Sequence, residues 1–137
     1  MEFKENVLTV ELYRELRSCV GWKNFDDLQI KKALSRSLYS IVVIDEDKPI
    51  GMGRVVGDGI YNTVCDVIVN PDYQGKGIGT EIMNRLLRYL DEQILENEKS
   101  SVQLIAEKGK EPFYKRFGFE SVPNATSGSG MRKIICK

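Results

Sequence analysis

A chain of 137 residues can bury one sizeable core but is too short for two ordinary ones, so a single domain over residues 1–137 is expected. Twenty basic residues balance twenty acidic ones, and 42% hydrophobic with 29% charged residues is the mix of a soluble globular protein, which argues against a dedicated nucleic-acid or membrane-surface binder. Histidine is absent, which excludes Ser-His-Asp triads, Cys-His pairs and HExxH zinc sites and leaves a carboxylate, a perturbed Lys, Cys or Tyr, or a relayed water as base.

The start, MEFKENVLTVELYREL, lacks the basic, apolar and cleavage regions of a signal peptide, and no apolar run approaches the roughly 20 residues that span a bilayer. A cytoplasmic location is expected. From Thr9 to Cys19, Val10, Leu12, Tyr13 and Leu16 recur at helical spacing behind Thr9 as a cap. An aromatic loop, Gly21-Trp22-Lys23-Asn24-Phe25, leads to a second helical stretch with Ile30, Leu34 and Leu38 four apart. Ser40–Asp45 and Ile50–Val56 read as a hairpin around Glu46-Asp47-Lys48-Pro49, and Ile60–Val69 as the third strand of a meander.

After Asn70-Pro71, a glycine-rich run enters the longest helical pattern, in which Ile78, Ile82, Met83, Leu86, Leu87, Leu90 and Ile94 form an apolar stripe. Asp91, Glu92, Glu96 and Glu98 read as its solvated face. Val102–Ala106 predicts a short strand, and Glu111–Phe117 a short helix stopped by Gly118. Phe119–Val122 and Met131–Cys136 predict closing strands around a Ser/Gly loop. Cys19, Cys65 and Cys136 have no CxxC spacing; they read as small buried hydrophobes, and no metal site is expected.

The chemistry concentrates in Gln74-Gly75-Lys76-Gly77-Ile78-Gly79-Thr80. Glycines opening a helix let backbone N–H groups converge on a ligand, and the helix N-terminus adds partial positive charge. This is an anion site suited to phosphate or pyrophosphate. Neither the P-loop pattern GxxxxGK[ST] nor the Rossmann GxGxxG fits GxGxG here.

Val69-Asn70-Pro71-Asp72-Tyr73-Gln74-Gly75-Lys76-Gly77-Ile78-Gly79 resembles motif A of the GNAT superfamily of N-acetyltransferases, whose pattern [RQ]xxGx[GA] is met by Gln74, Gly77 and Gly79. Downstream, Glu111-Pro112-Phe113-Tyr114-Lys115-Arg116-Phe117-Gly118-Phe119 resembles the family's second signature, with Lys110 where the pattern has Ala. The resemblance implies an α+β fold: a mixed, mostly antiparallel sheet with a splayed central strand pair and helices on both faces. It implies acetyl transfer from acetyl-CoA to a primary amine, small molecule or peptide, by direct attack in a ternary complex; composition and cysteine spacing give no reason to expect a metal, nucleic acid or membrane as partner. The resemblance is compatible with a homodimer.

By motif position, main-chain groups of Ile68 and Val69 would meet the acetyl and pantetheine groups. The amides from Gln74 through Gly75, Lys76, Gly77, Ile78 and Gly79 to Thr80 would cradle the pyrophosphate. A free alkylamine, with a pKa near 10.4, is neutral in only about one part in a few thousand at pH 7, so a base is useful. Asp66 stands where many members carry one, and strand alternation puts it on one face with Val64 and Ile68; Glu107 and a water relay are alternatives. Satisfaction by neighbouring backbone or by Arg54 is the structural use of the same carboxylate. Tyr114 holds the family's tyrosine position, from which a phenol would protonate the departing sulfur. Glu107-Lys108-Gly109-Lys110 replaces a loop where many members carry a cofactor-binding Asn, and Lys108 or Lys110 would substitute electrostatically.

The acceptor is left open. Trp22, Phe25, Asp26, Asp27 and Asp58 would suit a cationic amine, although loop anchoring and helix capping explain them as well. A different acyl donor such as succinyl-CoA, and a non-catalytic acyl-CoA-binding sensor or interaction module, are the competing readings.

Overall fold

The computed structural model describes all residues, Met1–Lys137, and the chain divides into two compact units, Met1–Leu104 and Ile105–Lys137. The first carries β1 (Glu2–Glu5), α1 (Val10–Cys19), α2 (Asp27–Ser35), β2 (Tyr39–Asp45), β3 (Lys48–Gly57), β4 (Tyr61–Val69), α3 (Ile78–Gln93) and β5 (Ser101–Gln103). The strands form one sheet in chain order, antiparallel except for the parallel β4–β5 pair. This is the expected α+β architecture.

Local signals account for most of it. Thr9 caps α1 by accepting from the Leu12 N–H, and Asp26 caps α2 by accepting from Leu28. Glu46 and Asp47 both take positive φ, 47° and 64°, so the β2–β3 hairpin closes in a two-residue turn whose twist suits its strands. Pro49, read as turn chemistry, is instead paired with Ile44 inside β3 at a bulge.

The two faces of β3 sort the core. Gly51, Gly53 and Val55 lie under α3, where a Cβ at Gly53 would stand 2.7 Å from Ile82 Cγ2. These glycines let the helix settle onto the strand, and Ile78, Ile82, Met83, Leu86 and Leu90 are buried. On the other face Met52 and Ile68 pack with Tyr13 and Leu16 of α1, Ile30 of α2 and Val42 of β2. The sheet therefore has helices on both faces. The helix ends at Gln93, so Glu96 and Glu98 lie beyond it.

β1 was not predicted. It has one apolar residue and is an edge strand rich in charge, paired with β2 from Glu2↔Ile44 to Glu5↔Ile41. It is held in part by the Tyr39 hydroxyl, which donates to Glu5 Oε1 at 2.8 Å.

The second unit contains α4 (Glu111–Lys115), after which Gly118, at φ 90°, ends the turn. The closing strands expected at Phe119–Val122 and Met131–Cys136 do not form. A strand exists through its backbone partners, and these segments join no ladder; Met131 and Ile135 are 94% and 82% exposed. In consequence β5 is the sheet edge, and the splayed pair lies at that edge instead of the centre. No helix is long and apolar enough to cross a membrane. Cys19 and Cys65 are only partly buried and Cys136 is exposed, which corrects the reading of all three as buried hydrophobes.

Candidate functional site

β4 pairs with β5 only over Tyr61–Thr63, leaving Val64 to Val69 without a neighbour in that ladder. The start of this parting is fixed by Asn62, buried at 2% exposure, whose Nδ2 donates to Ser100 Oγ at 2.7 Å and to the Ser101 carbonyl at 3.0 Å.

At the far end of β4 the Asn70 N–H donates to the Ile50 carbonyl at 2.7 Å. Antiparallel alternation then directs the polar groups of Ile68 toward β3 and those of Val69 toward the open edge. The Ile68 oxygen agrees, standing 3.2 Å from where a Gly51 Cβ would be. Of the two residues expected to offer main-chain contacts, Val69 is thus the one whose N–H faces the opening. Its carbonyl accepts from Gln74 Nε2 at 3.0 Å, which ties the glycine loop back to the strand.

Asn70 shapes the entry to that loop, its Oδ1 accepting from the Asp72 N–H at 2.9 Å. Gly75 and Gly77 both adopt left-handed backbone, φ 78° and 80°, and a Cβ at either would meet no atom within 4 Å. Glycine is required by conformation, and the space over the turn is open. Gly77 is the N-cap of α3 and makes no side-chain cap bond. The amides of Ile78, Gly79 and Thr80 therefore belong to the unpaired first turn of a 16-residue helix. Glu81, the acidic residue of that turn, is ion-paired to Arg85 at 2.8 Å. Lys76 and Lys48 set their ammonium groups 5.3 and 6.0 Å from the Tyr73 ring, adding positive charge beside the loop. This assembly fits an anionic, phosphate-bearing ligand.

Asp66 lies on a bulge. Arg54 pairs with Cys65 and Met52 with Ile68, so Asp66 and Val67 together oppose Gly53, and Asp66 takes φ 56°. The bulge breaks strict alternation: Asp66 shares the α1 face with Ile68, but Val64, opposite Val55, lies on the α3 face. That corrects the expectation that all three share one face. The Asp66 carboxylate accepts from Arg17 Nη1 at 2.8 Å on one oxygen, and from Arg54 Nε at 2.7 Å and the Tyr13 hydroxyl at 3.0 Å on the other. All three charged side chains are largely buried, at 8% exposure for Asp66 and 12–13% for the arginines. The Arg54 contact was anticipated; Tyr13 and Arg17 were missed, and their only sequence signal is an i, i+4 spacing that puts both on one face of α1. Burial, followed by the charge and hydrogen bond of Asp66, pushes the Tyr13 phenol up to about 12. Burial likewise raises the adjacent Cys65 thiol to about 11 and keeps it protonated.

The acidic residues suggested for a cationic acceptor are engaged elsewhere. Asp26 caps α2, Asp27 pairs with Arg14 at 3.0 Å, and Asp58 accepts from the Ile60 and Tyr61 amides at 2.9 Å, bonds that hold its pKa below the usual carboxylate value. Trp22 and Phe25 anchor their loop on Arg17.

Tyr114 and Glu107 belong to the second unit. Tyr114 meets Phe113 and Phe119 edge to face at centroid distances of 5.0 and 6.3 Å. Burial, and secondarily the Glu107 charge, raises its phenol pKa. The structure thus brings Val69, the Gln74–Thr80 loop and the Asp66 cluster together on β4 and its neighbours, and places Tyr114 and Glu107 in a separate unit.

The family profile described as "Acetyltransferase (GNAT) domain" matches residues 13–134. The chain is 32% identical to the uncharacterized N-acetyltransferase ycf52 of Pyropia yezoensis, over 93% of this chain and 78% of that one. It is 30% identical to serotonin N-acetyltransferase 2, chloroplastic, of Oryza sativa subsp. japonica, over 88% of this chain and 61% of the relative. Among solved structures, a GNAT family acetyltransferase of Streptococcus pneumoniae superposes with a TM-score of 0.81 at 32% identity, covering 99% of this chain and 98% of that one. A probable acetyltransferase of Staphylococcus aureus gives 0.82 at 29% identity over 96% and 98%. With the sheet, the glycine turn and these likenesses in agreement, the chain belongs to the GNAT superfamily and is an acetyltransferase.

Proposed function

We propose that the chain transfers an acetyl group from acetyl-CoA to a primary amine by direct attack within a ternary complex. The observation that carries this reading is the continuity of the open edge of β4, where the Val69 N–H is directed outward, with the glycine turn and uncapped start of α3. An extended ligand with an amide-rich arm and a pyrophosphate matches both halves: hydrogen-bonding backbone along a strand, then unpaired N–H groups at a helix start. Lys76 adds charge for the phosphates. Acetyl-CoA supplies an activated thioester carbon.

The chain's residues then have separable tasks. The amides of Gly75 to Thr80 hold the phosphates, and Val69 orients the acyl end. Tyr114, with its phenol held protonated by burial, is suited to give a proton to the departing sulfur. For proton removal from the amine, the occupied oxygens of Asp66 favour Glu107 or a relayed water over direct transfer to Asp66. The name of the rice relative makes arylalkylamines one acceptor class to test.

Calorimetric titration with acetyl-CoA, and with CoA, tests the donor site. Wild-type protein is expected to bind at micromolar strength, and Gly77→Glu, which strains the turn and puts a negative charge into it, to lose binding. A thiol-release assay with serotonin, glucosamine 6-phosphate, spermidine and a lysine peptide then tests transfer. Absence of binding by a folded wild-type protein would overturn the reading, and binding without transfer to any amine would favour an acyl-CoA sensor.

A further inference from the structure

The α1–α2 loop holds the chain's one tryptophan, and with Tyr13 of α1 its aromatic rings stand around a cation that belongs to the protein itself. The Arg17 guanidinium carbon stands 4.9 Å from the Phe25 ring centroid, 5.3 Å from Trp22 and 5.7 Å from Tyr13. Three such rings resemble a cage for a cationic ligand, and Arg17 fills it. The same guanidinium donates to the Lys23 carbonyl twice, from Nε at 3.1 Å and from Nη2 at 2.7 Å. Its remaining nitrogen, Nη1, reaches the Asp66 carboxylate on the β4 bulge. One side chain therefore joins α1, the loop and the strand. Beyond it Phe25 stays 47% exposed, presenting an aromatic surface outward.

We infer that Arg17, anchored by Asp66, is a positioning residue that latches the Trp22–Phe25 loop to the β4 bulge and so sets the wall against which the acceptor amine is placed. Asp66 acts through Arg17 instead of taking the substrate proton. The geometry gives three reasons. Both Asp66 oxygens already receive donors. The left-handed backbone at Asp66 aims its carboxylate at the two arginines. The planar fork of Arg17 matches the carbonyl and carboxylate it bridges, a pairing that lysine cannot reproduce. The inference as it concerns the acceptor rests on the transfer reaction proposed above, whereas the latch itself can be read without activity.

Trp22 is the probe. In Asp66→Asn and Arg17→Lys, its fluorescence is expected to shift to the red and become more accessible to acrylamide, while calorimetric acetyl-CoA affinity stays within about twofold of wild type. With the fastest amine of the four-amine panel, acceptor KM is expected to rise about tenfold or more, kcat to fall less, and the pH–rate profile to keep its shape. A tryptophan signal unchanged in both variants would overturn the latch. So would an Asp66→Asn enzyme whose Trp22 is undisturbed but whose acidic limb has vanished, which would make Asp66 the base. Should Asp66→Asn fail to fold, Arg17→Lys decides by the same readouts. Loss of acetyl-CoA binding in the wild type would remove the transfer reading and leave the Trp22 result to decide the latch.

Discussion

Arg54 Nε and Asp66 Oδ2 are 2.7 Å apart across the bulged register of β3 and β4, and the same carboxylate also holds Arg17. The arrangement is asymmetric, with one anion between two cations. Replacing Asp66 strands two buried guanidiniums, whereas replacing Arg54 leaves Asp66 paired with Arg17. Asp66→Asn is therefore expected to cost about 3–5 kcal/mol, of order 10 °C in Tm, and Arg54→Gln clearly less. Urea denaturation of both variants checks the ranking, and an equal or larger loss at Arg54 would contradict the hub role of Asp66.

Gly53 is a matter of volume. A Cβ there would stand 2.7 Å from Ile82 Cγ2 and 3.0 Å from Leu86 Cδ1, both from the buried stripe of α3. Because Cγ2 of a β-branched residue cannot swing away freely, Gly53→Ala must push the helix off the sheet, at a cost of roughly 1–3 kcal/mol. Chemical denaturation should show the midpoint falling with little change in slope.

Alkaline stability follows from two phenols. Tyr13 and Tyr39 are each pushed to about 12, first by burial and then by Asp66 and Glu5 respectively. An unfolded chain releases these protons near its ordinary value of about 10, while the folded chain keeps them. Their contribution is thus present below about pH 10 and is lost as pH rises toward 12. Urea midpoints across this window should fall in the wild type, and the double variant Tyr13→Phe, Tyr39→Phe should show a shallower fall.

What was legible in the chain was what neighbours in sequence decide. Thr9 and Asp26 cap the helices they precede, the stripe from Ile78 to Leu90 announces a buried face, and two glycines around Lys76 mark the left-handed turn. The Asp66 bulge was not legible, because a non-glycine residue at φ 56° is held by Arg17 and Arg54 from distant elements. β1 was hidden for the same reason: Glu2–Glu5 has almost no apolar pattern and becomes a strand only beside β2. The opposite error occurred at Met131–Cys136, where apolar content suggested a strand that has no ladder partner.

Lys76 reports on the phosphate loop without deforming it. Its ammonium lies over Tyr73, and it sits between the two left-handed glycines. Lys76→Met should weaken CoA binding about three- to tenfold and Lys76→Glu further, with the gap between them narrowing as salt is raised. Titration at two ionic strengths makes the test; equal affinities for both variants would remove Lys76 from the phosphate site.

Tyr114 has two competing uses, packing and proton donation, and they separate experimentally. Its ring meets Phe113 and Phe119 edge to face, contacts that Tyr114→Phe preserves. Only the hydroxyl is lost. Burial and the Glu107 charge raise the phenol pKa above the usual value of 10, so the proton is held throughout the neutral range and the rate should not fall for want of it until the medium is more alkaline than that. If the hydroxyl protonates the departing sulfur, Tyr114→Phe should lower kcat roughly a hundredfold, since positioned proton transfer is worth about that much or more, while acetyl-CoA affinity and Tm stay near wild type. Full kcat in the phenylalanine variant would assign the ring to packing alone and move the proton to water or another group.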